Sequence, residues 1–288
     1  MESSNDFLQF VIAGLTNGAI YALIALGFSV VHNSMGIVNF VQVDFVSLGG
    51  MLMYSALLTL GLPTVPGLLL AVAGVALVAM VVERFGLRPS RSHNELVLIF
   101  LTIGLSIILR GAMKLVWGTN RMAVPSLSGE QPLTLLGATI LPQAVWILAL
   151  TVLAIALLHW FFHHTPLGLA MRAVASNPTA AAVVGIRAGR VRLTSFAIAG
   201  ALGGLAGVLV TPITTLSYDV GVLLGLKGFA AAILGGFGSF PGAILGGIIL
   251  GLLESLSAGY WSSAYKDVVA FVVLLLVLFV RPKGLLGK

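Results

Sequence analysis

Asn39, Gln42 and Asp44 are the polar members of an apolar run, Gly36-Ile37-Val38-Asn39-Phe40-Val41-Gln42-Val43-Asp44-Phe45. Read as the start of a membrane helix, the run puts Asn39 and Gln42 three apart on one face, with Asp44 offset from it. Asp44 stands eight residues past Gly36, roughly 12 Å along a helix. A short side chain at that depth does not reach the headgroups. An ionised carboxylate at mid-membrane costs at least ~2.5–3.5 kcal/mol on insertion scales, so Asp44 requires a wet cavity, a partner or a proton. The cluster then serves in one of two ways: as polar glue between helices or a cap on a broken helix, or as a lining or support of a transport pathway.

A second segment with chemical character runs from Thr165 to Arg192. It reads Pro166-Leu167-Gly168, then Arg172-Ala173-Val174-Ala175-Ser176-Asn177-Pro178, and continues through Ala180, Ala181, Gly185 and Ile186 to Arg187, Arg190 and Arg192. Asn177 is placed to cap a short helix whose first residue is Pro178. Gly185 is placed to end it, with cations beyond. A basic loop lying on anionic headgroups has no need of an Ala- and Val-rich helix between such signals. The pattern fits a docking element for a soluble partner.

Other chemistries lack their residues. The sequence has no cysteine, which excludes disulfides and thiolate metal sites. There is no G-x-x-x-x-G-K-[ST] run, so this chain carries no P-loop. The nearest imitation, Gly236-Phe237-Gly238-Ser239-Phe240-Pro241-Gly242, lacks the third glycine at the required spacing and reads as a turn between two apolar spans. The five histidines form no ligand set; His163 and His164 read as a polar cap at a helix end. No metal or cofactor site is expected, and no catalysis.

These segments have to be positioned by membrane helices. Hydrophobic residues make up 59% of the 288 and charged residues 8%, with a mean hydropathy of +1.10. Soluble domains carry roughly 25% charged residues, so a water-soluble fold is excluded. Spans of ~20 apolar residues are needed to cross a bilayer. The expected fold is all-α and polytopic, a single domain over residues 1–288 with eight or nine crossings and Gly-rich interrupted segments. The crossings run approximately from Phe7 to Val31, Gly36 to Leu60, Thr64 to Val82, Glu95 to Val116, Pro142 to Phe162, Val191 to Thr211, Val222 to Phe237, Gly242 to Ala258 and Asp267 to Val280. The seventh is short enough to be broken or partly spanning. The acidic Met1 to Asp6 segment lacks the basic region of a cleavable signal, so the first run is expected to stay as a helix.

Basic residues fix the orientation. The formal net charge is +6, and its carriers cluster in short loops: Arg84, Arg88 and Arg91; Arg172, Arg187, Arg190 and Arg192; Arg281, Lys283 and Lys288. That distribution is a topology signal rather than a nucleic-acid footprint. Nine crossings put all three clusters on the cytoplasmic face, with residues 165–192 a cytoplasmic loop, residues 117–141 an external one and the N-terminus outside. Lys114 and Arg110 fall near an outer helix end, from which their stems snorkel. The pairs Gly14/Gly18, Gly200/Gly204, Gly203/Gly207, Gly242/Gly246 and Gly247/Gly251 have the spacing of close helix contacts, within the chain or with a second one.

The assembled motifs resemble the permease subunits of bacterial branched-chain amino acid ABC importers, of the LivH type. The likeness begins at Asn17-Gly18-Ala19-Ile20-Tyr21-Ala22-Leu23 and takes in Asn39-Phe40, Arg172-Ala173-Val174-Ala175-Ser176-Asn177-Pro178 and Gly185-Ile186. Its most specific part is Gly225-Leu226-Lys227-Gly228-Phe229-Ala230-Ala231-Ala232-Ile233-Leu234-Gly235-Gly236, followed by Glu254-Ser255-Leu256 and Arg281-Pro282-Lys283-Gly284-Leu285. The resemblance implies a division of labour in the bacterial inner membrane. An external binding protein would deliver leucine, isoleucine or valine. A second homologous permease would complete the pathway, and two cytoplasmic ATPase subunits, holding ATP and Mg, would drive it. It also implies that the Pro178 to Ile186 helix is a coupling helix, with Asn177, Pro178, Ala180, Ala181, Gly185, Ile186 and Arg187 at an ATPase. The family reads Asn-Phe-Ala-His-Gly-Glu where this chain has Asn39-Phe40-Val41-Gln42-Val43-Asp44, so two β-branched valines replace small residues beside the proposed pathway. Urea and short-amide permeases share the scaffold and are the alternative within the class. An ion-coupled carrier or channel using Asp44 is the alternative outside it.

Overall fold

The computed structural model describes residues 2–90, 94–129, 131–135, 138–262 and 265–287; Arg91 and Lys288 of the basic clusters lie outside these. Among the described residues, six helices are long and apolar enough to cross a membrane: Asp6–Met35, Thr64–Leu87, Glu95–Trp117, Pro142–His164, Ala188–Val210 and Phe240–Tyr260. The first belongs to α1 (Glu2–Met35), and the second joins α3 (Thr64–Val81) to a π-helical turn, Val82–Leu87. The others are α4 (Glu95–Trp117), α5 (Pro142–His164), α8 (Ala188–Val210) and α10 (Phe240–Tyr260). Shorter apolar helices complete the set: α2 (Gln42–Tyr54), which runs on through a π-helical turn at Ser55–Thr59, α9 (Val220–Gly235) and α11 (Lys266–Val280). The loop before α8 folds as α6 (Pro166–Ser176) and α7 (Pro178–Val183). The chain is an all-α, multi-pass membrane protein, and its seventh expected span is a short, unbroken helix.

The second expected span starts later than the sequence suggested. Residues Gly36 to Val41 are not helical, and Gly36 takes a positive φ of 72°. Asn39 therefore does not share a helical face with Gln42. It precedes α2, and its Oδ1 accepts from the Val41 amide at 3.2 Å while its carbonyl accepts from Gln42 N. A polar side chain so placed serves the backbone at the helix start, the usual task of Asn at such positions.

Packing rests on small residues, as it must where lipid offers apolar contact as good as any neighbour. Helix α1 packs most extensively against α10, and α8 packs against α1, α2 and α3. The glycine pairs work inside the chain. Gly18 abuts Gly247 and Gly251, Gly200 and Gly204 face Ala79 and Val75 on α3, and Gly207 meets the Val46 carbonyl on α2. Helices α4 and α5 lie outermost, with few buried residues. The loop between α4 and α5 forms a small hairpin, Leu133–Leu135 against Ala138–Ile140, and Met122 pairs with Leu216 through two 2.7 Å backbone bonds. The Arg88 guanidinium lies against Gly189, so the first and second basic clusters meet.

Candidate functional site

Asn39, Gln42 and Asp44 are all fully buried. Gln42 projects into the space left by Gly27 on α1 and Gly203 on α8, where side chains would collide with it. Its amide donates to the Ala199 carbonyl on α8 at 3.1 Å. The fold thus brings Gln42 and Asp44 onto one short helix facing different neighbours, and leaves Asn39 at its start.

Asp44 finds a partner rather than water. Arg110 on α4 places Nε 3.0 Å from Oδ1, in a close ion pair not aligned as a hydrogen bond. Ser106 donates its hydroxyl to Oδ2 and accepts from Arg110 at 2.9 Å. Arg110 therefore does not simply snorkel outward, as its position near the helix end suggested; the carboxylate holds it. Thr102, one turn before Ser106, accepts from the Phe40 amide at 3.2 Å. Thr102, Ser106 and Arg110 repeat every fourth residue, a polar stripe on an otherwise apolar helix. That period was legible in the sequence and marks the face of α4 that meets the Asp44 segment.

A second buried pair lies between α9 and α10. Lys227 Nζ sits 2.7 Å from Glu254 Oε1, and the Tyr21 hydroxyl on α1 donates to Oε2 at 2.6 Å. Lys266, at the start of α11, stands 3.8 Å from the same Glu254 oxygen. Opposite charges in two apolar helices were the available signal for this pairing.

In the 165–192 loop, Thr165 caps α6 by accepting from Gly168 N at 3.0 Å. Asn177 caps α7 by accepting from Ala180 N at 2.9 Å. Gly185, at φ +85°, closes that helix in a conformation other residues rarely adopt. Pro178, Ala180, Gly185 and Arg187 are exposed, whereas Ala181 is buried and Ile186 packs against the core. The outward apolar surface is supplied by Val183 and Val184, 83% and 75% exposed. Two large aliphatic side chains on a short capped helix form a compact hydrophobic knob. Val191, on the first turns of α8, is buried in the same core as Ile186, so the knob is fixed to a membrane helix.

Residues 10–278 match the family described as branched-chain amino acid transport system / permease component. LivH of Escherichia coli K12, named a high-affinity branched-chain amino acid transport system permease protein, is 36% identical over 98% of this chain and 96% of its own length. BraD of Pseudomonas aeruginosa, named likewise, is 35% identical with the same coverage. A ribose import permease protein of E. coli, RbsC, is 31% identical over 49% of this chain and 46% of its own length. With its membrane helices, glycine contacts and capped loop helix, this chain belongs to the branched-chain amino acid transport permease family.

Proposed function

We propose that the chain is one permease subunit of an ABC importer for leucine, isoleucine and valine in the bacterial cytoplasmic membrane. Identity of 35–36% over nearly the full length of two permeases named for branched-chain amino acids carries the substrate class. A second homologous permease completes the pathway, an external binding protein supplies the amino acid, and two ATPase subunits hold ATP and Mg. The exposed α7 knob supports the ATPase contact: it is apolar, rigidly capped and joined to α8. The contact residues are Pro178, Ala180, Val183, Val184, Gly185 and Arg187, while Asn177, Ala181 and Ile186 hold the knob in shape. Asn39, Gln42 and Asp44 support the pathway by setting where α2 begins and how it meets α4 and α8. Asp44 is closed off by Arg110 and Ser106, which disfavours an ion-coupled carrier built on it.

ATP-driven uptake of labelled leucine and labelled urea by the reconstituted complex tests the substrate class; urea uptake without leucine uptake would sink it. Gly185→Arg puts a side chain on a left-handed residue beside the knob. We expect the variant to reach the membrane, lose retention of the ATPases and show no ATP-driven uptake. Normal uptake would remove α7 as the dock. Asp44→Leu strips Arg110 of its counter-charge and loosens α4 from α2. Leucine uptake is expected to fall about tenfold or more, the rate equivalent of ~1.4 kcal/mol. An unchanged rate would assign Asp44 no part in transport.

A further inference from the structure

Glu83 is buried to 1% exposure, yet neither of its carboxylate oxygens has a hydrogen-bond donor among the described residues. An unsatisfied buried polar group is costly and native folds hold few of them, so each calls for a reason. Glu83 lies in the π-helical turn Val82–Leu87 that ends the α3 span. Such turns are rare and frequently occur at functional positions.

The facing element is the start of α8, over its first two turns. Arg192 places Nε 3.9 Å from Glu83 Oε1, too far for a hydrogen bond, and keeps its side chain 36% exposed. The Arg88 guanidinium, from just past the π-helical turn, fills the space above Gly189, where a Cβ would lie 2.9 Å from Nη2. Two side chains thus lie between the end of α3 and the base of α8, Arg88 by close packing and Arg192 by a loose ion pair. Helix α8 starts at Ala188, directly after the Gly185-Ile186-Arg187 exit from α7. Farther along, its Ala199 carbonyl accepts from Gln42, and its glycines lie on α2 and α3. One helix therefore joins the exposed knob to both elements.

We infer that Glu83 and Arg192 form a reversible fastener that transmits displacement of α7 to α3, with Glu83 the positioning residue. The inference rests on the reading of α7 as the ATPase dock. A static tie between helices is better made with closed hydrogen bonds. A paired but unbonded carboxylate beside a half-exposed arginine has two arrangements available: tightened against α8, or released as the arginine turns to solvent. Elements with two discrete arrangements are what carry coupling between distant sites.

The test uses the complete transporter in proteoliposomes, with three readouts: ATPase retention, ATP hydrolysis and leucine uptake. Glu83→Gln keeps the shape and removes the charge. It is expected to retain the ATPases and hydrolyse ATP near the wild-type rate, while uptake per ATP falls about tenfold. Arg192→Gln, made at a half-exposed position that tolerates change, should lower the same ratio, and exchanging the charges (Glu83→Arg with Arg192→Glu) should restore part of it. An unchanged ratio in Arg192→Gln overturns the proposal. So does a Glu83→Gln variant whose uptake and hydrolysis fall together with the amount of folded protein, since that is the behaviour of a merely structural pair. If the wild-type chain retains no ATPase, the docking reading fails and this inference with it; if retention is normal and only the ratio is unaffected, the fastener alone is wrong.

Discussion

Gly207→Ala is expected to deplete the folded protein, while Gly111→Ala leaves it unchanged or raises its thermal stability slightly. A Cβ at Gly207 would collide with the Val46 carbonyl oxygen and lie 2.9 Å from the carbonyl carbon. The obstructing atoms belong to the α2 backbone, which has no rotamer to change, so relief comes only by separating α2 from α8. Overpacking a core typically costs about 1–3 kcal/mol where side chains can adjust; here the cost should reach the top of that range or exceed it. The same separation stretches the 3.1 Å bond from Gln42 to the Ala199 carbonyl and pulls Gly49 away from Gly204. Gly111 on α4 has nothing within 4 Å of the place an alanine methyl would occupy, so alanine there gains helix propensity, about 1 kcal/mol in water. Apparent Tm and the monodisperse fraction after detergent extraction separate the two variants. Equal values for Gly207→Ala and the unaltered chain would mean that α2 and α8 do not pack as closely as described.

The same contacts show how far the sequence could be read. Glycine spacing announced that helices would touch at Gly203/Gly207 and Gly247/Gly251, because small residues four apart present one flat face. It did not say which helix would arrive. Gly247 meets Ala22 and Gly207 meets Val46, pairings set by the route of the whole chain. Hydropathy located the long spans well, since their apolar runs match bilayer thickness. It failed at Gly36 to Val41, where apolar residues continue but the backbone leaves the helix and the Asn39 side chain accepts from the Val41 amide ahead of it. In the loop, Asn177, Pro178 and Gly185 were legible because capping is local chemistry. The orientation of α7 was not, and so Ala181 and Ile186 turned out to face the core while Val183 and Val184 face outward. The depth of Asp44 shows from sequence alone that it needs a partner, but pairing it with Arg110 requires knowing that α4 lies beside α2.

Glu254→Leu is expected to be more damaging than Lys227→Leu, and that asymmetry follows from who remains. Both charges are buried, at 4% and 6% exposure. Breaking a buried pair by removing one member typically costs about 3–5 kcal/mol, because a charge is left without compensation. Removing Glu254 deprives Lys227 of the carboxylate 2.7 Å away and Lys266 of the one at 3.8 Å, and it takes the acceptor of the Tyr21 hydroxyl. Two cations then lose the carboxylate oxygen that they share. Removing Lys227 leaves Glu254 with the Tyr21 hydroxyl and with Lys266, whose flexible stem and partial exposure let it close the remaining distance. Apparent Tm should therefore fall by several degrees in Glu254→Leu and by less in Lys227→Leu. Replacing both together substitutes apolar volume for the pair, which is often neutral or stabilising, so the double variant should recover most of the Tm lost by Glu254→Leu. A double variant as unstable as Glu254→Leu alone would show that Glu254 stabilises the fold through Tyr21 and α1 rather than through Lys227. A recovered fold with lost uptake would give the pair a part in transport beyond holding α9 to α10.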